Sequence, residues 1–260
     1  MDKKITGSFF SRGVFVTGTD TAIGKTIVAA ALAAWWHSRG IDVGVAKPVA
    51  SGGRRVDGRL ISEDAMLLQR AAGVDDPLSL INPVCPAGWA APWVSARAEG
   101  KTIRIAPALA AYRTLRRRHE RMIVEGAGGL LVPLTRRYLV ADLARDIGLP
   151  LLIVARPGLG TINHTLLTIE AARRRGLAIA GVVFNEYERP AAGSRRSLSW
   201  RTNPDVLATL GRVRILATLL FDSGVDARRG LLGQLPQQLG RQMERRTLIY
   251  RRAHATLGAN

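Results

Sequence analysis

Residues 13–27, GVFVTGTDTAIGKTI, constrain this chain more than any other stretch. A β-rich run (Val14, Phe15, Val16) meets a Thr/Gly/Asp turn that closes on Gly24-Lys25-Thr26, and an alanine-rich run follows. Strand, glycine loop and helix are the three parts of a phosphate-binding loop. Backbone N–H groups and the helix N-terminus face an anion there, and aligned peptide dipoles favour negative charge. In that pattern the lysine, here Lys25, reaches the β/γ-phosphates, and the hydroxyl, here Thr26, sits on Mg²⁺. Five residues separate Gly18 from Gly24, one more than the usual spacing. The competing reading is a plain strand–turn–helix connection containing Gly-Lys-Thr. The strand-to-helix context argues against it.

The rest of the chain repeats this alternation. Residues 25–39 read as a helix stopped by Gly40, and 41–49 (IDVGVAKPV) as a second strand that ends at Pro48. A βαβ unit of this length makes the two strands parallel. Ligands of open parallel sheets bind at the carboxyl ends of strands, which brings Lys47 toward the cavity of Lys25. Residues 50–60 form a Gly/Arg-rich loop, and a helix over 62–72 opens on Ser62-Glu63-Asp64. Capping chemistry accounts for both acids when they are read alone. Residues 75–100, with Trp89 and Trp93, read as an irregular segment long enough to cover a substrate.

A basic amphipathic helix over 106–120 leads to the strand Arg121–Glu125. A carboxylate at a strand end, in a chain with a phosphate loop, is placed to bind or orient Mg²⁺. The glycines that follow let backbone amides approach a phosphate closely. A helix near 139–147, strands at 150–155 and 177–185, and a helix opening at Thr161 complete the pattern. The fold class expected is α/β, a doubly wound, mostly parallel sheet with helices on both faces. Residues 1–222 read as a single phosphate-loop domain, and 223–260 as a basic tail without assignment. His37 and His164 have no acid or cysteine at ligand spacing, and both read as helix residues.

Composition narrows the function classes. The 260 residues carry a formal charge of +18 but only 5% aromatics, and the arginine runs lack the aromatic interleaving of a single-strand binder. A solvated basic surface is the reading preferred over nucleic-acid binding. Cys85 is the sole cysteine, which excludes an intramolecular disulfide and reads as a small, partly buried apolar residue. No apolar run reaches the ~18–20 residues of a membrane span. Nor does the start, MDKKITGSFFSRG, contain an apolar signal-like stretch, so a cytoplasmic location is expected.

Four stretches, FVTGTDTAIGKT (15–26), KPVASG (47–52), VEGAGG (124–129) and GLGTINH (158–164), together resemble the dethiobiotin synthetase family over roughly residues 13–220. The resemblance implies an ATP- and Mg²⁺-dependent cyclo-ligase that carboxylates 7,8-diaminononanoate with CO₂ and closes the ureido ring. It implies that Lys25 and Lys47 are catalytic, Lys25 on the β/γ-phosphates and Lys47 on the carbamate. Ala22, Ile23, Gly24, Lys25, Thr26 and Ile27, with Asp64, Glu125, Gly126, Ala127, Gly128 and Asn185, would hold the nucleotide and its metal. Asn185 would recognise adenine. The metal ligands implied are Thr26, Asp64 and Glu125; Thr21 and Ser51 would line the diamine side. A homodimer is implied as well, its partner subunit completing the diamine site and the GLGTINH helix start anchoring a carboxylate.

The chain departs from that family pattern at three places. Trp93 follows Pro92 where a histidine is common. Leu216-Ala217-Thr218-Leu219-Leu220 replaces a Leu-Gly-x-x-Pro loop near the nucleotide base. The arginine-rich tail has no counterpart. Two alternatives stay open. One is a related ATP-dependent synthetase with another substrate. The other is a nucleotide-switch ATPase of the ParA/MinD type binding DNA or membrane; its extra lysine at the loop start is missing from Val16-Thr17-Gly18-Thr19.

Overall fold

The computed structural model describes residues 10–56, 58–186 and 198–257, with side chains through 246. The opening lysines, the basic stretch 189–197 and the side chains of the Arg251/Arg252 pair lie outside what is described. In chain order the elements are β1 (Gly13–Gly18), α1 (Lys25–Ser38), β2 (Val43–Ala46), β3 (Arg54–Val56), β4 (Arg59–Ile61), α2 (Glu63–Ala72), α3 (Leu78–Ile81), α4 (Pro92–Ala98) and α5 (Ile105–Arg118). There follow β5 (Arg121–Gly129), β6 (Pro133–Thr135), β7 (Tyr138–Leu139), α6 (Val140–Ile147), β8 (Leu151–Ala155), α7 (Thr161–Arg174), β9 (Ile179–Asn185), α8 (Leu198–Gly211), β10 (Ile215–Leu219), β11 (Val225–Asp226), β12 (Leu231–Leu232) and α9 (Leu235–Leu257).

Six strands form one parallel sheet in the order β10-β9-β8-β1-β5-β2. β1 is flanked on both sides and every one of its residues is buried, as a continuous apolar run in a two-sided parallel sheet should be. Chain order reverses around it: β2 and β5 lie to one side, β8, β9 and β10 to the other. That is the topological switch point where α/β sheets open a ligand crevice beyond the strand ends. The doubly wound α/β expectation is met.

Three local readings are revised. The Gly/Arg loop at 50–60 is built as the antiparallel pair β3–β4. The 75–100 segment contains two short helices, and a parallel bridge ties Val49 to Val84. Residues 215–219, expected to include a loop, form an edge strand because Ala217 and Leu219 point into the core.

What covers that edge is α9. Gln242 donates from Nε2 to the Thr218 carbonyl (2.9 Å) and accepts from the Thr218 N–H at Oε1 (2.9 Å), so one side-chain amide stands in for a neighbouring strand. Gln238 accepts from the Leu220 N–H, and Arg246 donates to the Ile215 carbonyl. An exposed strand edge invites pairing with other chains, and this one is occupied. Leu235, Leu239 and Met243 are buried in the common core. Gly240 lies so close to the Trp35 indole that a Cβ would come within 2.2 Å of Nε1. The segment set apart in sequence as a tail thus contributes core residues.

A second polar tie lies at the opposite end of the sheet. The ring of His119, just after α5, meets Asp42 Oδ1 at Nδ1 (2.7 Å) and Asp76 Oδ2 at Nε2 (2.6 Å). Arg118 donates to the other oxygen of Asp76 (2.8 Å), and Arg116 donates to the His119 carbonyl. An imidazole can donate at both nitrogens only when protonated. Burial opposes that charge, but the two carboxylates outweigh it and raise the His119 pKa.

Two outcomes follow from these contacts. Leu239→Ala should lower the unfolding free energy by about 3 kcal/mol, as buried leucine truncations do, read from urea denaturation. His119 gives stability that is fully present below its unfolded pKa of about 6.5 and is lost as pH rises through the higher folded value. The stability gap between wild type and His119→Gln should therefore be widest just below about pH 6.5 and narrow as the pH is raised above it.

Candidate active site

The phosphate loop leaves β1 at its carboxyl end. Gly24, the N-cap of α1, is left-handed (φ 79°), and Ala22 is left-handed as well (φ 55°). Left-handed backbone at a non-glycine residue is uncommon and costs roughly 1 kcal/mol; the loop uses it to place one more residue than usual. No side chain caps α1, which leaves its first N–H groups turned to the cleft. Lys25 is buried, and its Nζ donates to the Asp20 carbonyl (2.7 Å). Burial lowers its pKa to about 8; the charge of Lys47 adds to the fall, while Glu125, Asp64 and Asp20 offset part of it.

At the centre stands Lys47, 4% exposed, with Glu125, which is fully buried. The Lys47 ammonium donates to Glu125 Oε1 (2.5 Å) and Asp64 Oδ2 (2.8 Å), and the Thr26 hydroxyl donates to Glu125 Oε1 (2.9 Å). Residues 26, 47, 64 and 125 come from four separate elements or their ends. Burial works against the charge on Lys47, but Glu125 first and Asp64 second outweigh it and hold the ammonium protonated. Burial also pushes the Asp64 carboxyl up, and Lys47 more than reverses this. At Glu125 burial dominates and raises the carboxyl, with Lys47 recovering part. Asn82 fixes the scaffold: it donates to the Lys47 carbonyl (2.7 Å) and accepts from the Ser62 N–H (2.9 Å). Ser62 in turn caps α2 by accepting from the Asp64 N–H.

These groups line one cleft of about 900 Å³. It gathers Thr21, Ala22, Gly24, Lys25, Thr26, Ile27, Lys47, Ser51, Asp64, Glu125, Ala127 and Gly128. Three further candidates sit behind it. Ile23 is buried and gives its carbonyl to Asn185 Nδ2 (3.1 Å), so Asn185 braces the loop from beneath and does not line the cleft. Gly126 is a packing position, where a Cβ would meet Val140 at 2.8 Å and Phe15 at 3.0 Å. β5 also runs on through these glycines to Gly129, which pairs with Gly18 after a register shift. Trp93 is not among the residues that line the cleft and lies beneath the Arg97 guanidinium.

Beyond the residues singled out in sequence, and besides Trp89 of the segment expected to cover a substrate, the cleft has other wall residues. Arg70 on α2 and Arg228 on the β11–β12 turn line the cleft, as do Arg54, Trp89 and Ala91. Gly230 packs on the Arg70 side chain, which brings that turn over the nucleotide loop's side. A tryptophan in a Gly/Pro-rich segment was the available signal for Trp89. Nothing local marks Arg228 among so many arginines. Cys85 is half-buried with its thiol pKa raised by burial, as an inert side chain would be.

The donor set also bears on a metal. Among the described residues no group of three His, Cys, Asp or Glu side chains is arranged to hold an ion. Two carboxylates and a hydroxyl are, however, what Mg²⁺ takes from protein when phosphates and water supply the rest. Glu125 Oε2 is buried with no hydrogen-bond partner. A lone pair kept dry and unpaired fits a hard cation, so the set Thr26, Asp64 and Glu125 suits Mg²⁺.

Removing Lys47 should cost stability as well as activity. Lys47→Ala strands the Glu125 carboxylate and should lose about 3 kcal/mol in chemical denaturation without nucleotide, while Lys47→Ala/Glu125→Gln recovers much of it. Lys25→Ala, which removes a cation whose burial already opposes its charge and leaves no carboxylate without its hydrogen bond, should lose less stability than Lys47→Ala.

A family model described as AAA domain matches residues 12–229. The chain is 46% identical over 224 residues to the ATP-dependent dethiobiotin synthetase BioD of Anaeromyxobacter dehalogenans, covering 86% of this chain and 96% of that one. It is 39% identical over 216 residues to the protein of the same name from Thermodesulfovibrio yellowstonii, covering 80% and 88%. Among solved structures, the cell division ATPase MinD of Pyrococcus furiosus superposes with a TM-score of 0.54 at 17% identity, covering 91% of this chain and 98% of that one. That likeness shows the shared phosphate-loop fold and nothing finer. The sequence relatives, at this identity and coverage, show more: the chain belongs to the dethiobiotin synthetase family.

Proposed function

We propose that this protein is an ATP-dependent dethiobiotin synthetase that joins CO₂ to 7,8-diaminononanoate and closes the ureido ring. The observation that carries the reading is the buried Lys47 ammonium between Asp64 and Glu125, with Thr26 of the phosphate loop donating to the same oxygen of Glu125. A fixed cation beside the phosphate loop is where a negatively charged carbamate and a transferring phosphoryl group would meet.

The chemistry runs in three steps. One amine nitrogen bonds to the carbon of CO₂ and gives up a proton, leaving a carbamate. A carbamate oxygen attacks the γ-phosphorus and the bond to ADP breaks, giving a carbamic–phosphoric anhydride. The second amine attacks the anhydride carbon, loses a proton and expels inorganic phosphate as the ring closes. Lys25 orients the β/γ-phosphates with the N–H groups at the start of α1. Lys47 holds the carbamate oxygen in line and balances its charge. Thr26, Asp64 and Glu125 would hold Mg²⁺, which would supply positive charge against the phosphates. Thr21 and Ser51 lie on the amine side, with Ser51 Oγ held by the Ala90 carbonyl (2.6 Å). No protein nucleophile is needed; positioning and electrostatics suffice.

A homodimer and a cytoplasmic location are part of the same reading, supported by family membership. Among the described residues no helix is long and apolar enough to cross a membrane.

The test is phosphate release with ATP, Mg²⁺, bicarbonate and 7,8-diaminononanoate, with mass detection of the product and Lys25→Ala as the blank. Diamine-dependent release with a product of dethiobiotin mass is expected, and Lys25→Ala should fall at least 100-fold, about 2.7 kcal/mol of transition-state stabilisation. ATP hydrolysis indifferent to the diamine would overturn the substrate assignment.

A further inference from the structure

Trp89 is 88% exposed, an unusual state for the largest apolar side chain, and it stands on the cleft wall. It is not a stray surface residue. Its indole lies flat over Gly52: a Cβ at that position, already left-handed at φ +71°, would come within 2.5–2.8 Å of three ring atoms. The two segments that meet there are laced together. The Ala50 N–H donates to the Val84 carbonyl (2.9 Å), the Gly52 N–H to Pro86 (3.0 Å), and Ser51 Oγ to Ala90 (2.6 Å). One face of the indole is thus seated on a rigid glycine platform, and the rest is presented to the cleft and solvent.

The surroundings indicate what that face is for. Around Trp89 the lining residues are small or apolar: Ala50, Ser51, Ala90, Ala91 and Pro92 line the same cleft as Lys47. Ser51, held by the Ala90 carbonyl, ties the tryptophan's segment to the stretch that follows Lys47. A hydrocarbon chain laid against the exposed indole gains about 25 cal/mol per Å² removed from water.

We infer that Trp89, seated on Gly52, is the specificity-determining residue that covers the hydrocarbon chain of the diamine substrate. This rests on the proposed synthetase reading and adds to it the residue that recognises the chain.

The test compares Trp89→Ala, Trp89→Phe and wild type in the coupled phosphate-release assay. In Trp89→Ala the KM for 7,8-diaminononanoate should rise at least fivefold while the KM for ATP moves less than twofold; Trp89→Phe should restore the diamine KM to within twofold. Without nucleotide, saturating diamine should shift the tryptophan emission of wild type to shorter wavelength, and the shift should be lost in Trp89→Phe. A diamine KM unchanged in Trp89→Ala, a KM for ATP that rises equally, or an emission shift retained in Trp89→Phe would each overturn the assignment. Wild type that shows no diamine-dependent turnover would instead overturn the synthetase reading itself, so the two failures are distinct.

Discussion

The site depends on one buried charge arrangement: the Lys47 ammonium held between Glu125 and Asp64, with Thr26 donating to the same oxygen of Glu125. Two ions cannot be taken out of water unless they satisfy one another, because the desolvation cost of each is several kcal/mol. The fold meets that requirement by bringing β1, β2 and β5 side by side, so that the ends of two strands and the start of one helix deliver lysine, glutamate and threonine to one point. Asn82 then fixes the Lys47 backbone and, through Ser62, the first turn of α2 that carries Asp64. A single ion triad therefore couples four parts of the chain. Glu125 Oε2, buried and without a hydrogen-bond partner, leaves one acceptor of the triad open.

Around this centre the cleft brings two kinds of surface together. The loop after β1 leaves backbone N–H groups over by helix geometry beside Lys25, which suits phosphate. Residues 89–92 add small side chains and one tryptophan, whose close approach the glycine at 52 permits. The +18 charge is compatible with this without a nucleic-acid partner, since an electropositive surface also attracts a nucleoside triphosphate and a carboxylated substrate.

The C-terminal segment shows how stability is distributed. β10 is an edge strand, and its free polar groups would be open to pairing with another chain. α9 answers them with glutamine and arginine side chains, while Leu239 and Met243 enter the core against α1. The same α1 begins at the phosphate loop, so the last helix supports the element whose first turn binds the anion.

Much of this was legible in the sequence because it rests on local rules. The strand–glycine–helix context of 13–27, the apolar runs alternating with helices, and the acid closing the run at Glu125 each reflect spacing within a few residues, and they sufficed for the α/β class and for Lys25, Thr26, Lys47 and Glu125 as one site. Long-range geometry decided the rest. That Asp64 shares the Lys47 ammonium with Glu125 is visible only in the fold; Asn185 donates to the Ile23 carbonyl; residues 215–219 become an edge strand that α9 returns to cover; Trp89 and Arg228 reach the cleft because distant segments pack on Gly52 and Arg70. By itself the sequence determined which backbone segments form and what chemistry they carry. Which side chains share a charge, a wall or an edge was decided by tertiary packing, because those energies depend on distances between residues that the chain order keeps apart.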